Sequence, residues 1–334
     1  MTERGVHLPV AAQDSFDDLV RLGERAEELG YDRVALPETW GRDGVAVLSA
    51  LAERTEKIGL ASSILNTYSR SPALLGQTAA TLQEASDGRF RLGIGPSGPV
   101  VVENWHGVDY GNPLRRTRET VEVVKQVLSG DTVTYDGSDF SLSGFRLRCD
   151  APDPAPPVDV TGMGPKAVEL AGRFADGWHA LMLTDSGLDD RLADLERGAA
   201  LGDRDPDDIH VTLVTTCCAL DDPEEARNLT RQHIGFYVGG MGTFYRDALE
   251  RQGYGETANA VYEAWQDGDH AEAVGLVGDD LLDDVAAAGT PEEARDRLAA
   301  LESLEGVDEV AIGFPRAADQ SQIDATMDAL APER

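Results

Sequence analysis

The stretch VDVTGMGPKAVELAGRFADGWHALML, residues 158–183, contains the structural repeat that decides the fold. VDVTG is a short apolar run and reads as a strand. Pro165 then opens a helix over 165–174. Proline suits a first helical position, where its missing N–H would have no partner in any case. GWHALML, 177–183, is a second strand. Both runs are continuously apolar rather than alternating, as parallel strands are when helices cover them.

The glycines between strand and helix raise a second question. Glycine lets backbone approach a ligand closely and aim N–H groups at an anion, and a helix N-terminus adds positive potential. Gly162, Met163 and Gly164 are therefore candidate phosphate binders. Lys166, one of three lysines in the chain with Lys57 and Lys125, is a candidate partner. Two other readings stay open. The turn could be a tight strand-to-helix connection with no ligand. Gly162, Gly164 and Ala167 also fit a loose GxGxxG/A pattern, with Asp185 near the next strand end, as in dinucleotide-binding folds. Pro165 inside that pattern, and four such units upstream, weigh against it. No GK[ST] follows, so this is no P-loop.

The same rhythm precedes and follows the stretch. Strands are expected at 5–10, 33–38, 57–65 and 89–95, with helices at 14–29, 44–54 and 71–86. The rhythm breaks at 96–157. That segment reads as an irregular loop over 96–111, a helix over 114–128, a hairpin over 133–147 turning at Asp136-Gly137, and a Pro-rich connector. After residue 183 come a helix over 188–200, a strand over 209–220 and a long helical region over 223–288. A helix opened by Thr290 and Pro291 and a strand over 307–315 complete the pattern. Eight strands in this order define an α/β fold, a (β/α)8 TIM barrel in one domain over 1–334. It carries an insertion after strand 4 (96–157, a lid) and an extended helical region after strand 7 (223–288).

Composition bounds the function. The chain has 334 residues, 61 acidic against 29 basic, for a formal charge of −32. Nucleic acid and anionic membrane surfaces are excluded as partners on that balance. Acid spread along the chain with so little lysine is the pattern of a halophilic protein. The three cysteines, Cys149, Cys217 and Cys218, form no disulfide framework and no metal spacing, and no metal is expected. The N-terminus shows no apolar signal region, and no run approaches a membrane span, so a cytoplasmic location is expected.

In a barrel of this kind, chemistry sits at the C-terminal strand ends. Glu38 there is a candidate general acid or ligand anchor, or else a helix-terminal surface carboxylate. His7 lies inside the first strand, as a catalyst or as a core histidine. Ser63, Ile64 and Asn66 end the third strand. Gly95, Pro96, Ser97 and Gly98 suit close approach to a flat ring or a polar tail, or simply lead into the excursion. Cys217 and Cys218 read as core thiols.

Several segments resemble the bacterial-luciferase-like superfamily, and within it the coenzyme F420-dependent methylenetetrahydromethanopterin reductases, here of haloarchaeal type. They are LNTYSRSPALLGQTAATLQEASDGRFRLGIGPSG (65–98), GPKAVELAGRFADGW (164–178), TTCCALDD (215–222), GDHAEAVGLVGDDLLDD (268–284) and AAGTPEEARDRLAAL (287–301). The resemblance implies a deazaflavin, F420, with FMN as the alternative. Its phosphate would lie on Gly162, Met163 and Gly164. Its ring would lie near Ser63 and Ile64, where relatives carry a non-proline cis peptide. Gly95, Pro96, Ser97 and Gly98 would border the ring. Where relatives often have an Asp-His pair, this chain has Glu38-Thr39, and His7 stands where the reductases carry a glutamate. The implied reaction is hydride transfer between deazaflavin C5 and a small organic substrate. His7, Glu38, Thr39 or water would handle the proton. A methylene-tetrahydropterin or folate is the leading substrate. An FMN monooxygenase, an F420-dependent alcohol or sugar-phosphate dehydrogenase, and a cofactor carrier without turnover are the alternatives. A homodimer or higher homo-oligomer is implied as well.

Overall fold

The structure is a computed structural model describing residues 2–10 and 13–332. The first units are β1 (Glu3–His7), α1 (Phe16–Leu29), β2 (Arg33–Leu36), α2 (Gly44–Arg54), β3 (Gly59–Asn66), α3 (Pro72–Ala85) and β4 (Phe90–Gly95). The excursion holds α4 (Pro99–Asn104), α5 (Pro113–Leu128) and the antiparallel pair β5 (Val133–Asp136) and β6 (Ser141–Phe145). Then come β7 (Val158–Thr161), α6 (Pro165–Phe174), β8 (Gly177–Leu181), α7 (Asp185–Leu201) and β9 (His210–Ala219). The helical region contains α8 (Pro223–Gly240), α9 (Phe244–Leu249), α10 (Gly255–Gln266), α11 (His270–Gly275) and α12 (Asp279–Val285). β10 (Ala286–Gly289), α13 (Pro291–Glu302), β11 (Glu309–Gly313) and α14 (Gln320–Ala329) end the chain.

The strands run β9-β11-β1-β2-β3-β4-β7-β8, and β8 pairs back onto β9, all in parallel, so the sheet closes as a barrel. Register within it is fixed by buried apolar residues such as Val6, Leu36, Leu60, Leu92, Val160 and Trp178. Helix starts are set by sequence. α3, α4, α5, α6, α8 and α13 each begin with proline. Ser15, Asp43, Ser71, Asn112, Thr184 and Asp222 cap their helices through side-chain oxygens.

The structure corrects the expected pattern in four places. β1 ends at His7, so Pro9 and Val10 lie beyond the strand. The 96–111 loop contains α4, for which Gly98 is the cap, so the glycine turn after β4 does lead directly into a helix. The helical region ends at Val285, and the last residues assigned to it form β10, paired with the top of β9. The hairpin closes through a four-residue turn, with Gly137 N–H bonded to the Phe140 carbonyl at 2.9 Å. The terminal helix α14 carries a capping box, Asp319 with Gln322, that the sequence reading passed over.

The helix behind the glycine turn is held by close backbone packing. A methyl group on Gly172 of α6 would lie 2.1 Å from the Leu195 carbonyl oxygen, and one on Gly198 of α7 would lie 2.1 Å from that of Glu169. Both contacts are backbone, so no rotamer relieves them. Gly198→Ala should therefore cost about 1–3 kcal/mol, read as a lower Tm in a thermal melt. An unchanged Tm would show that the two helices slide apart freely.

Candidate functional site

A cavity of about 1170 Å³ opens at the C-terminal ends of the strands. It exceeds the usual 300–1,000 Å³ of a single small-ligand pocket, so it can take a cofactor and a substrate together. The excursion contributes Tyr110, Pro113, Leu114 and Thr117 to its wall, and α8 and α9 contribute His233, Phe236, Tyr237 and Phe244.

At one end lies the turn between β7 and α6. Gly162, Met163, Gly164, Pro165 and Lys166 all line the cavity. Trp178, fully buried on β8, donates its indole N–H to the Gly162 carbonyl at 3.0 Å. In a planar trans peptide the N–H opposes the C=O, so the Met163 N–H points away from Trp178. Neither the Met163 nor the Gly164 N–H makes a backbone hydrogen bond among the described residues. Gly164 caps α6 without any side-chain bond, unlike the serine, asparagine and aspartate caps elsewhere. No heavy atom lies within 4 Å of where its Cβ would stand. Unpaired N–H groups on a helix N-terminus beside open space fit a phosphate group.

The floor is built on Ser63 and Ile64. Their peptide bond is cis, and the β3–β4 register shifts between Ser62 and Leu65. Two histidines grip Ser63. His7 Nε2–H donates to the Ser63 carbonyl at 2.8 Å. The Ser63 hydroxyl lies 2.9 Å from His179 Nδ1, and His179 Nε2 faces Asp159 Oδ2 at 3.4 Å. Asp159 is fully buried in a bidentate pair with Arg91, at 2.7 and 2.8 Å. Burial disfavours the Asp159 carboxylate, but Arg91 and His179 outweigh it and hold its pKa well below the ordinary range. With Asp159 ionised, His179 donates from Nε2, so Nδ1 accepts from the Ser63 hydroxyl.

Burial lowers the His7 pKa to about 4 and that of His233 to about 3, so both are neutral at pH 7. Between pH 6.5 and 4 the unfolded chain binds protons that the folded chain does not. Stability from these groups is then complete above pH 6.5 and is lost as pH falls towards the folded values. Unfolding free energy measured in denaturant should decline across that window, and less steeply in His7→Asn. A flat profile would contradict the burial of these rings.

Glu38 reaches the cavity but is not free. Arg70 takes both its oxygens, and the Gly44 N–H donates to Oε2 at 2.7 Å. Arg70 also holds Asp43 at 3.0 Å. The expectation of a general acid at Glu38 therefore meets a carboxyl group whose two oxygens are both held by a guanidinium. Thr39 lines the cavity and is exposed.

The structure gathers His7, Glu38, Thr39, Ser63, Ile64, Pro96, Ser97, Gly98, Gly162, Met163, Gly164 and Lys166 around one cavity. It leaves out two expected residues. Asn66 is buried behind the wall, where its side chain accepts the Tyr68 N–H at 2.7 Å. Gly95 is buried under Thr161, whose methyl would lie 2.5 Å from a Cβ there. Lys166 is committed to Glu169 at 2.9 Å. The cation near the turn that the sequence reading missed is Arg251, which lines the cavity with no recorded partner among the described residues. Cys217 and Cys218 are buried, and burial raises both thiol pKa values, to about 12 for Cys218, so they are core thiols. At the other end of the barrel, Glu3, His210 and Glu309 lie close together. Arg33 occupies that cluster, bonded to Glu3 at 2.9 Å and Glu309 at 2.8 Å.

These features define a site at the mouth of a barrel, with an open glycine turn at one end and a hydrogen-bonded floor. The chain matches the luciferase-like monooxygenase family over residues 2–308 and belongs to that family. It is 31% identical over 305 residues to the 5,10-methylenetetrahydromethanopterin reductase of Archaeoglobus fulgidus, covering 89% of each chain. It is 29% identical to the F420-dependent glucose-6-phosphate dehydrogenase of Microbacterium testaceum over 66% of this chain and 70% of that one. The coenzyme F420-dependent tetrahydromethanopterin reductase structure from Methanopyrus kandleri superposes with a TM-score of 0.83 at 26% identity, covering 98% and 97% of the two chains.

Proposed function

We propose that the protein is a coenzyme F420-dependent oxidoreductase. The observation that carries this reading is the open N-terminus of α6, with the uncapped Gly164 and the unpaired N–H groups of Met163 and Gly164 at the cavity. Those groups would hold the cofactor phosphate, with Arg251 beside them. Ser63 and Ile64 would support the ring, with Pro96, Ser97 and Gly98 at its border. Bound there, the deazaflavin supplies hydride chemistry at C5. The protein positions the ring and excludes water under the 96–157 cover. His7 stays neutral and keeps Ser63 in place through its Nε2–H. The Thr39 hydroxyl is the group left free to exchange a proton with substrate, since Glu38 is tied to Arg70 and the Ser63 hydroxyl donates to His179.

The leading substrate is a methylene-tetrahydropterin or folate, supported by the similarity to the reductases. An F420-dependent alcohol or sugar-phosphate dehydrogenase is the second reading, and an FMN monooxygenase the third. The purified protein, in high salt, is titrated with F420, FMN and NADP by fluorescence. Reduced F420 is then mixed with methylene-tetrahydrofolate and methylene-tetrahydromethanopterin while its absorbance is followed. F420 should bind in preference to FMN and be oxidised by a pterin. Preferential FMN binding overturns the cofactor assignment, and binding without oxidation by either pterin removes the substrate. The same samples test two further parts of the reading. Full stability without salt would end the halophilic assignment, and a one-chain mass in sedimentation would end the homo-oligomer, for which exposed Phe145 and Trp105 argue.

A further inference from the structure

The geometry points to a second recognition site in the same cavity: the wall made by α8 and the residues after β11 binds an anionic group, carboxylate or phosphate, carried by the substrate. This rests on the reading of the cavity as an oxidoreductase site and names the class of molecule that it takes.

Four side chains build the wall. The Arg316 backbone N–H donates to His233 Nδ1 at 3.2 Å. That bond fixes the neutral tautomer and leaves Nε2–H as a donor. The His233 ring stacks on Tyr237 with centroids 4.7 Å apart. The Arg316 guanidinium lies 3.6 Å from the centroid of the Phe236 ring between them on α8. All line the cavity. Among the described residues no acceptor is recorded for the Arg316 guanidinium, the His233 Nε2–H or the Tyr237 hydroxyl. The wall therefore presents three kinds of donor, and its one acceptor is the Tyr237 hydroxyl oxygen, whose proton can turn towards a ligand.

The same helix also carries paired arginines. On its other side, Arg227 holds Asp279 at 2.9 Å and Asp283 at 2.7 Å, and Arg231 also holds Asp279. Arg316, like Arg251 across the cavity, has no carboxylate partner among the described residues, although acidic residues outnumber basic ones 61 to 29. Arg316 is exposed at the rim with its guanidinium laid on an aromatic ring, so the ion pair it forms is partly screened by salt and draws on the hydrogen bonds of its planar fork as much as on charge. Burial lowers the His233 pKa to about 3, so that ring is neutral and the charge of the wall comes from Arg316.

The wall is separate from the phosphate turn. It rises from β11, whereas the turn follows β7, and β1, β2, β3 and β4 lie between them on one side of the barrel. It adjoins the floor, because a Cβ at Gly313 would lie 4.0 Å from His7 Cβ. A substrate anchored by its anion at Arg316 thus extends over His7 and Ser63.

The test uses the full protein, titrated with and without F420. The probes are matched pairs: glucose 6-phosphate against glucose, and methylene-tetrahydrofolate against a methylene-tetrahydropterin lacking the glutamate. At least one anionic member should bind roughly 10- to 100-fold more tightly than its neutral partner. Arg316→Ala should abolish that preference and leave the F420 affinity unchanged, and Arg316→Lys should restore part of it. The member that binds identifies phosphate or carboxylate. Loss of F420 binding in the wild type would defeat the cofactor reading alone. No preference for either anion, or a preference that survives in Arg316→Ala, overturns the anion wall.

Discussion

Gly164→Asp should leave the Tm unchanged and weaken deazaflavin binding more than about 100-fold, roughly 3 kcal/mol or more. The two halves of this result come from different facts. The backbone at Gly164 is ordinary for any residue, with φ −96° and ψ 154°, and no atom lies within 4 Å of its absent Cβ. Aspartate is also a favourable N-cap, so the helix loses nothing. What changes is the space in front of the helix. A carboxylate there would accept the N–H groups that the phosphate needs and would repel the phosphate itself. Gly162→Asp makes a less selective test, since a Cβ at Gly162 would sit 2.3 Å from that of Ala167 and disturb α6 directly. Fluorescence titration and a thermal melt on the Gly164 variant separate binding from folding. Wild-type affinity in a folded Gly164→Asp protein would sink the phosphate turn.

Arg91→Met should destabilise the protein by about 3–5 kcal/mol, because it leaves Asp159 charged, buried and without its strongest partner. The Tm should fall on the order of 5–10 °C. Replacing both residues, Arg91→Met with Asp159→Leu, should recover much of the loss, since an apolar pair of similar volume has no charge to desolvate. The pH dependence follows from the lowered Asp159 pKa. The wild-type contribution is present above pH 3.8 and fades as pH falls below it towards the folded value. Denaturant unfolding at pH 7 measures each variant. A double variant as unstable as the single would mean that the pair does not act as a buried ion pair. The effect reaches the cavity too, because Asp159 orients His179 and His179 accepts the Ser63 hydroxyl.

The barrel was legible because its signals are local. Apolar runs, proline-led helices and side-chain caps recur with every unit, and each can be read within a few residues. The segments that escaped lack them. β10 is AAAG, with no branched or aromatic residue to mark a strand, and it exists because β9 offers it a free edge. α4 hides in a segment whose glycines and prolines read as a loop. The site divides in the same way. The glycine turn at 162–164 was visible, being one contiguous motif. Arg70 is 32 residues from Glu38, and Arg91 is 68 from Asp159. Only barrel closure brings such partners together. One signal was available in each case: an acid inside an apolar parallel strand, Asp159 in VDVT or Glu309 in EVAIG, has to have a partner. His179 lies across from Thr161 in the register, and its reach back to Asp159 at 3.4 Å, which ties Ser63 down, is not marked by any local pattern.

The scarcity of lysine has a practical side. Lys125 is engaged with Asp176 at 2.7 Å, and Lys57 sits at the N-terminal end of β3, far from the cavity mouth. Lys166 has a side chain 72% exposed and stands at that mouth. The protein therefore carries a natural chemical handle. An amine-directed fluorophore placed there, with Lys57 changed to arginine, would report ligand entry from the rim without an engineered cysteine.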